Sequence, residues 1–332
     1  MTEDILGNDM QKSIPRTRLS LSRVGVTGLK RVLRLKGSSG HESLFFAEMN
    51  LYAFLDASQS GVHMSRFIEN IEDIASEIAM SPSPDFETLT DRMALSIAKT
   101  QGAARAEAGI RAQYPMTRHT PASGKAVENL YTFIGVSVSD GVSSRRATGV
   151  EVNGFTVCPC AREMVAERAR SALLGAGYSD AQAAEILSIM PVASHNQRGL
   201  GTLLIGSESR ISADKLVRIA EDSMSSGIYG LLKRPDELNV VWGGHMRPRF
   251  VEDVVREMIN GVAEHMPGLE DGAFVLARQE NFESIHVHNA YAERCGLLGD
   301  MRRELHGERV ASSAPMSLDS WLDANLIGHN SG

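Results

Sequence analysis

The chain has 332 residues, of which 42% are hydrophobic and 23% charged, the balance of a folded protein of one large or two ordinary domains and not of a disordered chain. A formal net charge of -7 leaves no basic excess to neutralise many phosphates, which argues against a general nucleic-acid or anionic-membrane binder. The start, MTEDILGNDM, is acidic where a secretory leader is basic and then apolar. No apolar run reaches about 18 residues, and three cysteines, Cys158, Cys160 and Cys295, are an odd and sparse set for a disulfide framework, so a cytoplasmic protein with reduced thiols is expected.

Residues 1–13 and 326–332 are polar and unpatterned. From Leu19 to Lys36 and from Leu44 to Asp56, β-favouring residues dominate, and Gly37–Gly40 reads as the hairpin turn between two antiparallel strands. Met64, Phe67, Ile68, Ile71, Ile74, Ala75 and Ile78 then recur at helical spacing; Ser81-Pro82-Ser83-Pro84 interrupts, and Phe86, Leu89, Met93 and Ile97 resume it. Ala103–Tyr114 and Val127–Val138 return to strand composition around a turn at Thr120–Gly124. The second half repeats this order loosely. Strands are expected at Ala147–Val157 and Gly199–Ile205, with helical segments at Met164–Leu174 and Ala181–Met190 between them. Helices follow at Ala213–Ser223, with Ser212 as N-cap, and at Phe250–Val262, and strands at Phe274–Gln279 and Ser284–Asn289 close the unit. The fold class is α+β, in two units of similar plan, 14–143 and 144–325, meeting at a joint near 140–147.

Four clusters in the second half carry chemistry-bearing side chains: Cys158-Pro159-Cys160, Ser194-His195-Asn196-Gln197-Arg198-Gly199, Lys233-Arg234-Pro235-Asp236-Glu237 and Glu283-Ser284-Ile285-His286-Val287-His288. Together they offer thiolate, imidazole and carboxylate, the ligand types of a catalytic zinc or iron site. Each also has a plainer reading. Cys-Pro-Cys is neither a C-x-x-C redox motif nor part of a four-cysteine array, and two small core residues at a strand end explain it as well. His286 and His288, two apart in a strand-like run, share a face, which suits a shared site or simply solvent. His195 sits among loop-like polar residues, for which a turn role serves nearly as well. Arg198, Lys233 and Arg234 suit phosphate oxygens, or a solvated turn before Pro235. Glu252, at the start of an amphipathic helix, suits a helix cap or an acceptor for a guanine edge.

Taken in order, CPCA at Cys158–Ala161, SHNQRG at Ser194–Gly199, SMS at Ser223–Ser225, LLKRPDE at Leu231–Glu237, FVEDVVREM at Phe250–Met258 and ESIHVH, with RVGV at Arg23–Val26 and GVHMSR at Gly61–Arg66, resemble the GTP cyclohydrolases that include the bacterial type IB and archaeal-type (GTP cyclohydrolase IV) enzymes. The resemblance spans roughly residues 14–295, and the joint occurrence of the motifs is far more specific than any one alone. The long segment Arg162–Ile189, with CPCA and SMSS, resembles the archaeal-type members.

That resemblance implies tandem tunnelling-fold domains, antiparallel sheets each with a helix pair, assembled as a homo-oligomer (dimer or tetramer) with sites between subunits. It further implies Cys158, His195 and Glu237 around a divalent metal, iron(II) first with zinc or manganese as alternatives. His286 and His288 would serve as ligand or proton carriers. GTP would be held by Glu252, Glu283, Arg198, Lys233 and Arg234, with His63 and Arg66 contributing from the first domain; which of Glu237, Glu283 and Glu252 is ligand and which is base anchor stays open. The implied reaction opens the guanine ring at C8, releases formate and forms a dihydroneopterin phosphate, the 2',3'-cyclic phosphate in archaeal-type enzymes and the triphosphate in type IB. After Glu237 the sequence LNVVWGGHMRP (Leu238–Pro248) departs from the type IB pattern, which leaves the subtype open. A nitrile reductase of the same fold group, with a cysteine nucleophile and NADPH, and a non-catalytic purine-binding relative are the competing classes.

Overall fold

The computed structural model of the chain describes residues 10–36, 42–80, 86–310 and 316–324. Two long strands, β1 (Leu21–Lys36) and β2 (Glu42–Leu55), lead into helices α1 (Met64–Met80) and α2 (Phe86–Gln101) and strands β3 (Ala106–His119) and β4 (Ala126–Ser139). The expected turn at Gly37–Gly40 and helix break at Ser81–Pro84 lie outside the described residues. The second half runs β5 (Ser144–Val157), α3 (Pro159–Gly175), α4 (Asp180–Ile189), β6 (Asn196–Gly206), α5 (Ala213–Asp222), a two-residue β7 (Ser226–Gly227), α6 (Arg234–Met246), α7 (Val251–His265), β8 (Phe274–Asn281), β9 (Ala290–Leu297), α8 (Leu298–Leu305) and α9 (Leu318–Asp323).

The strands form one antiparallel sheet in the order β1-β2-β3-β4-β5-β6-β8-β9, with β7 beside β5. Asp140 accepts from the Val142 and Ser143 N–H groups at 2.8 Å each, so the expected joint is a tight β4–β5 turn across which the ladder continues. Period-two burial explains the packing: Phe45, Ala47, Met49, Leu51 and Ala53 of β2 face α1 and α2 through Phe67, Ile71, Leu89, Met93 and Ile97. In the second half Val150, Val152, Leu203, Ile205 and Val275 face α5 and α7 through Leu216, Val254, Met258 and Val262. Each half of the sheet is thus backed by its own helix pair. The other face is covered at one end by α9, where Trp321 packs with Leu204, Phe274 and Val138. By contrast α3 buries no residue and α4 only Ala183, so this helical hairpin stands off the sheet.

Three sequence expectations change. Ser284–Asn289 is a loop, not a strand: the ladder bond Phe282 N to Arg198 O (2.8 Å) is followed by pairing that resumes only at Asn281↔Ala290 on β9. The alternation of Ile285 and Val287 has no core to face, since both are exposed. A helix not expected from the sequence, α6, begins within LLKRPDE at Arg234, because Pro235 in its first turn supplies a helical φ where no N–H partner is needed. Ser212 is the N-cap residue of α5, but its side chain makes no capping hydrogen bond. Among the described residues no helix is long and apolar enough to cross a membrane.

Candidate active site

Register fixes which groups share an end of the sheet. His119↔Ala126, Val157↔Asn196 and Asn281↔Ala290 close one end; Leu21↔Leu55, Ala106↔Ser139 and Gly206↔Phe274 lie at the other. Cys158, His195, Glu283, His286 and His288 therefore gather at the first end. His63 and Arg66 follow β2 and belong to the second: the His63 backbone is bound by the Gln101 side chain (3.1 and 2.9 Å) and Arg66 Nη1 donates to Thr100 O (3.1 Å). A 14-residue strand such as β5 spans roughly 40 Å, so within one chain these two residues do not join the cysteine and histidines.

Cys158 leaves β5 and caps α3. Pro159 occupies the first helical turn, and the Ala161 N–H points at Cys158 Sγ from 3.5 Å. The ladder between β5 and β6 carries on past the strands: Cys158 N donates to His195 O (3.1 Å), and Ser194 Oγ donates to Cys158 O (2.6 Å). On the other side of β5, Val157 N donates to Ser225 Oγ (3.0 Å). Residues 158 and 195 are thereby tethered to each other through their backbones.

The His195 ring is held by Gln197, whose Oε1 is 3.0 Å from Nδ1 and whose Nε2 donates to Thr156 Oγ1 at 2.8 Å. Glu283 Oε2 lies 3.7 Å from the same Nδ1, and that carboxylate oxygen is buried with no hydrogen-bond partner. The His286 ring stands edge-on to His195 at 6.2 Å between centroids and stacks on His288 at 5.3 Å. Their common position thus comes from a bend, not from a shared strand face.

The remaining expected residues stand apart. Glu237 is exposed in the first turn of α6, with Lys233 and Arg234 exposed beside it. That turn is pinned by its neighbour Asp236, fully buried, which accepts from Ala122 N (3.0 Å), Ser123 N (2.7 Å), Ser123 Oγ (2.7 Å) and Lys233 N (3.0 Å). Burial opposes ionisation of that carboxyl, but the donors outweigh it and hold Asp236 far below the usual carboxylate range. Glu252 is exposed on α7, where the acceptor for the Phe250 N–H is Asp253 Oδ2 (3.0 Å). Arg198 points to the face opposite Gln197 and is exposed. Among the described residues no group of three or more His, Cys, Asp or Glu side chains is arranged to hold a metal ion.

Sequence reasoning missed a buried polar layer beneath the site. Gln279 and Asn281, both essentially solvent-free, bond to each other (Nε2 to Oδ1, 2.9 Å). They fill the space of an absent side chain: a β-carbon on Gly199 would lie 2.1 Å from Gln279 Nε2. A second buried group holds the wedge where β7 inserts between β4 and β5: Tyr131 OH donates to Glu221 Oε1 (2.6 Å), and Arg118 pairs with Glu221 Oε2. Burial raises the Glu221 carboxyl, against the lowering pull of Tyr131 and Arg118.

Cys158, His195 and Glu283, a thiol, an imidazole and a largely buried carboxylate, gather at one end of a helix-backed antiparallel sheet. Residues 8–292 match the family model described as Type I GTP cyclohydrolase folE2, and the chain belongs to that family. It is 36% identical over 313 residues to the GTP cyclohydrolase MptA of Methanothermobacter thermautotrophicus, covering 92% of this chain and 98% of that protein. With the protein of the same name from Methanocaldococcus jannaschii it shares 36% identity over 304 residues, 90% of this chain and 97% of that one. Among solved structures, the uricase of Arthrobacter globiformis aligns with a TM-score of 0.53 at 9% identity, over 92% of this chain and all of that one; this likeness is one of fold alone.

Proposed function

We propose that this chain is an archaeal-type GTP cyclohydrolase, which opens the imidazole ring of guanine in GTP, releases formate and yields a 7,8-dihydroneopterin 2',3'-cyclic phosphate. Two relatives named GTP cyclohydrolase MptA, matched over nearly their whole length, support the substrate. The observation that carries the chemistry is the backbone tether that sets Cys158 beside His195, with Glu283 and the stacked His286 and His288 around them. The description of the family model as type I favours a second reading in which the product is 7,8-dihydroneopterin triphosphate.

A thiolate and an imidazole are donors of the kind a borderline divalent ion such as iron(II), zinc or manganese takes, although among the described residues no third ligand is placed with them. Cys158 Sγ and His195 would hold it; Glu237, the expected third ligand, stands apart on α6 and would have to be brought to them. When bound, such an ion supplies water acidic enough to deprotonate near neutral pH. The chain's own residues do the rest. Glu283 offers a buried carboxylate oxygen to an N–H of the base, and Glu252 is the alternative base anchor. His286, stacked on His288 and open to solvent, delivers a proton to the departing ring nitrogen and recovers one from bulk water. Arg198, Lys233 and Arg234 meet the phosphates. His63 and Arg66 lie at the far end of the sheet, so they belong to this site only if a second copy of the chain supplies them, as in the homo-oligomer of two tunnelling-fold units per chain that the resemblance implies. Anaerobic incubation with GTP and iron(II), following formate and the pterin mass, tests this reading: formate with a cyclic phosphate is expected, and no formate with any of the three metals would overturn it.

A further inference from the structure

We propose that Gln197 is a positioning residue that fixes His195 as the Nδ1–H tautomer and so presents the Nε2 lone pair to the site. Its metal-binding consequence rests on the reading of His195 as a ligand; its tautomer consequence does not. A neutral imidazole ligates through the nitrogen that carries no proton, so whichever partner holds the proton on the other nitrogen sets the ligating atom.

Two independent groups face Nδ1. Gln197 is almost completely buried, and with its Nε2 spent on the fully buried Thr156 Oγ1 at 2.8 Å its Oε1 is left 3.0 Å from Nδ1. An amide oxygen only accepts, so Nδ1 donates. The reversed amide would set an imidazole lone pair at Nδ1, and that lone pair would face Glu283 Oε2, 3.7 Å away and without another partner. A carboxylate there selects the proton on Nδ1. Gln197 is nearer than Glu283 and accepts the Nδ1–H hydrogen bond, which leaves the Glu283 oxygen uncommitted. Gln197 therefore does two things: it orients the ring, and it keeps the histidine from pairing with the carboxylate.

The test uses the full-length protein without metal, labelled with 15N-histidine, at a pH where imidazole is neutral. The wild type is expected to show His195 with a pyrrole-type Nδ1 and a pyridine-type Nε2. Glu283→Ala, which leaves Gln197 alone at Nδ1, is expected to keep that tautomer, whereas Gln197→Leu combined with Glu283→Ala is expected to lose it and to weaken binding of cobalt(II), read from its thiolate charge-transfer band, by about 10- to 100-fold. Gln197→Glu keeps an acceptor and is expected to keep the tautomer. Thr156→Val, which frees the amide without removing it, is a milder variant with a partial loss in both readouts. A pyridine-type Nδ1 in the wild type, a Glu283→Ala protein that loses the tautomer, or a Gln197→Leu/Glu283→Ala protein that folds and retains both the tautomer and the cobalt affinity, overturns the proposal. A wild type that shows the expected tautomer and binds no cobalt overturns the metal reading of the site while upholding the tautomer assignment.

Discussion

Replacing Trp321 by alanine should cost stability without touching the chemistry. The indole is 3% exposed. It lies over Gly206, where a β-carbon would come within 2.5 Å of the ring, and 6.1 Å from the Phe274 ring. Its Nε1–H donates to Gly272 O (2.9 Å), and the Arg145 guanidinium sits 3.6 Å from the ring centroid. A buried tryptophan truncated to alanine costs about 3–5 kcal/mol. Because α9 is a single short helix of 6 residues, part of that loss is relieved by local detachment, and about 4 kcal/mol is a reasonable upper figure. With about 2.1 cal/mol/K of unfolding entropy per residue and 332 residues, that lowers Tm by about 6 °C. Calorimetry reads the shift, and steady-state kinetics at a temperature below both transitions reads the site, which stands roughly 40 Å away at the opposite end of the strands. A Tm within about 1 °C of wild type, or a loss of kcat at that temperature, would refute the assignment of α9 to a structural strap remote from the centre.

Other outcomes follow from the same geometry. Cys158→Ala should abolish turnover with an unchanged circular dichroism spectrum and melting curve; full activity would remove the cysteine from the centre. Asp236 is held below its ordinary pKa, so its stabilising effect is complete above the unfolded-state value of about 3.9 and fades as pH falls through that value toward the depressed one. Proteolysis at α6 should therefore accelerate below about pH 4 in the wild type, and at neutral pH in Asp236→Ala. Glu221→Leu strands the Arg118 charge and should cost about 3 kcal/mol in urea unfolding, and adding Arg118→Met should recover most of it. Gly199→Ala drives a β-carbon into Gln279 and should cost about 1–3 kcal/mol, measured by the same unfolding.

Most of the fold was legible because its elements are strongly periodic. The apolar repeats of α1, α2, α5 and α7 and the alternation along β2 and β6 mark both type and buried face. What failed depended on partners distant in sequence. ESIHVH alternates like a strand but has no neighbour to complete its ladder, and α6 carries Gly243 and Gly244 without an apolar stripe, since it packs Gly244 against the Phe155 ring. The candidate site was legible only as a set of residue types, of which Cys158, His195, Glu283, His286 and His288 gather at one sheet end. The tether between Cys158 and His195 depends on the β5–β6 register across 37 positions and has no local signature. Gln197 stood in a motif without a role of its own, and Gln279 and Asn281 were missed, although period two gave a clue, for each continues the buried phase of its strand with a polar side chain. Glu237 and Glu252 are both exposed on separate helices, which the motifs alone did not show.

The central claim is that Cys158 and His195 form the heart of a guanine-opening centre. Its most direct test is a single anaerobic turnover experiment in which GTP labelled with 13C at C8 is mixed with the iron(II)-loaded protein and followed by carbon NMR. Transfer of the label to formate by the wild type, with none by Cys158→Ala or His195→Ala, is the predicted result. Label remaining in the purine with the wild type, or formate released at an undiminished rate by either variant, would contradict it.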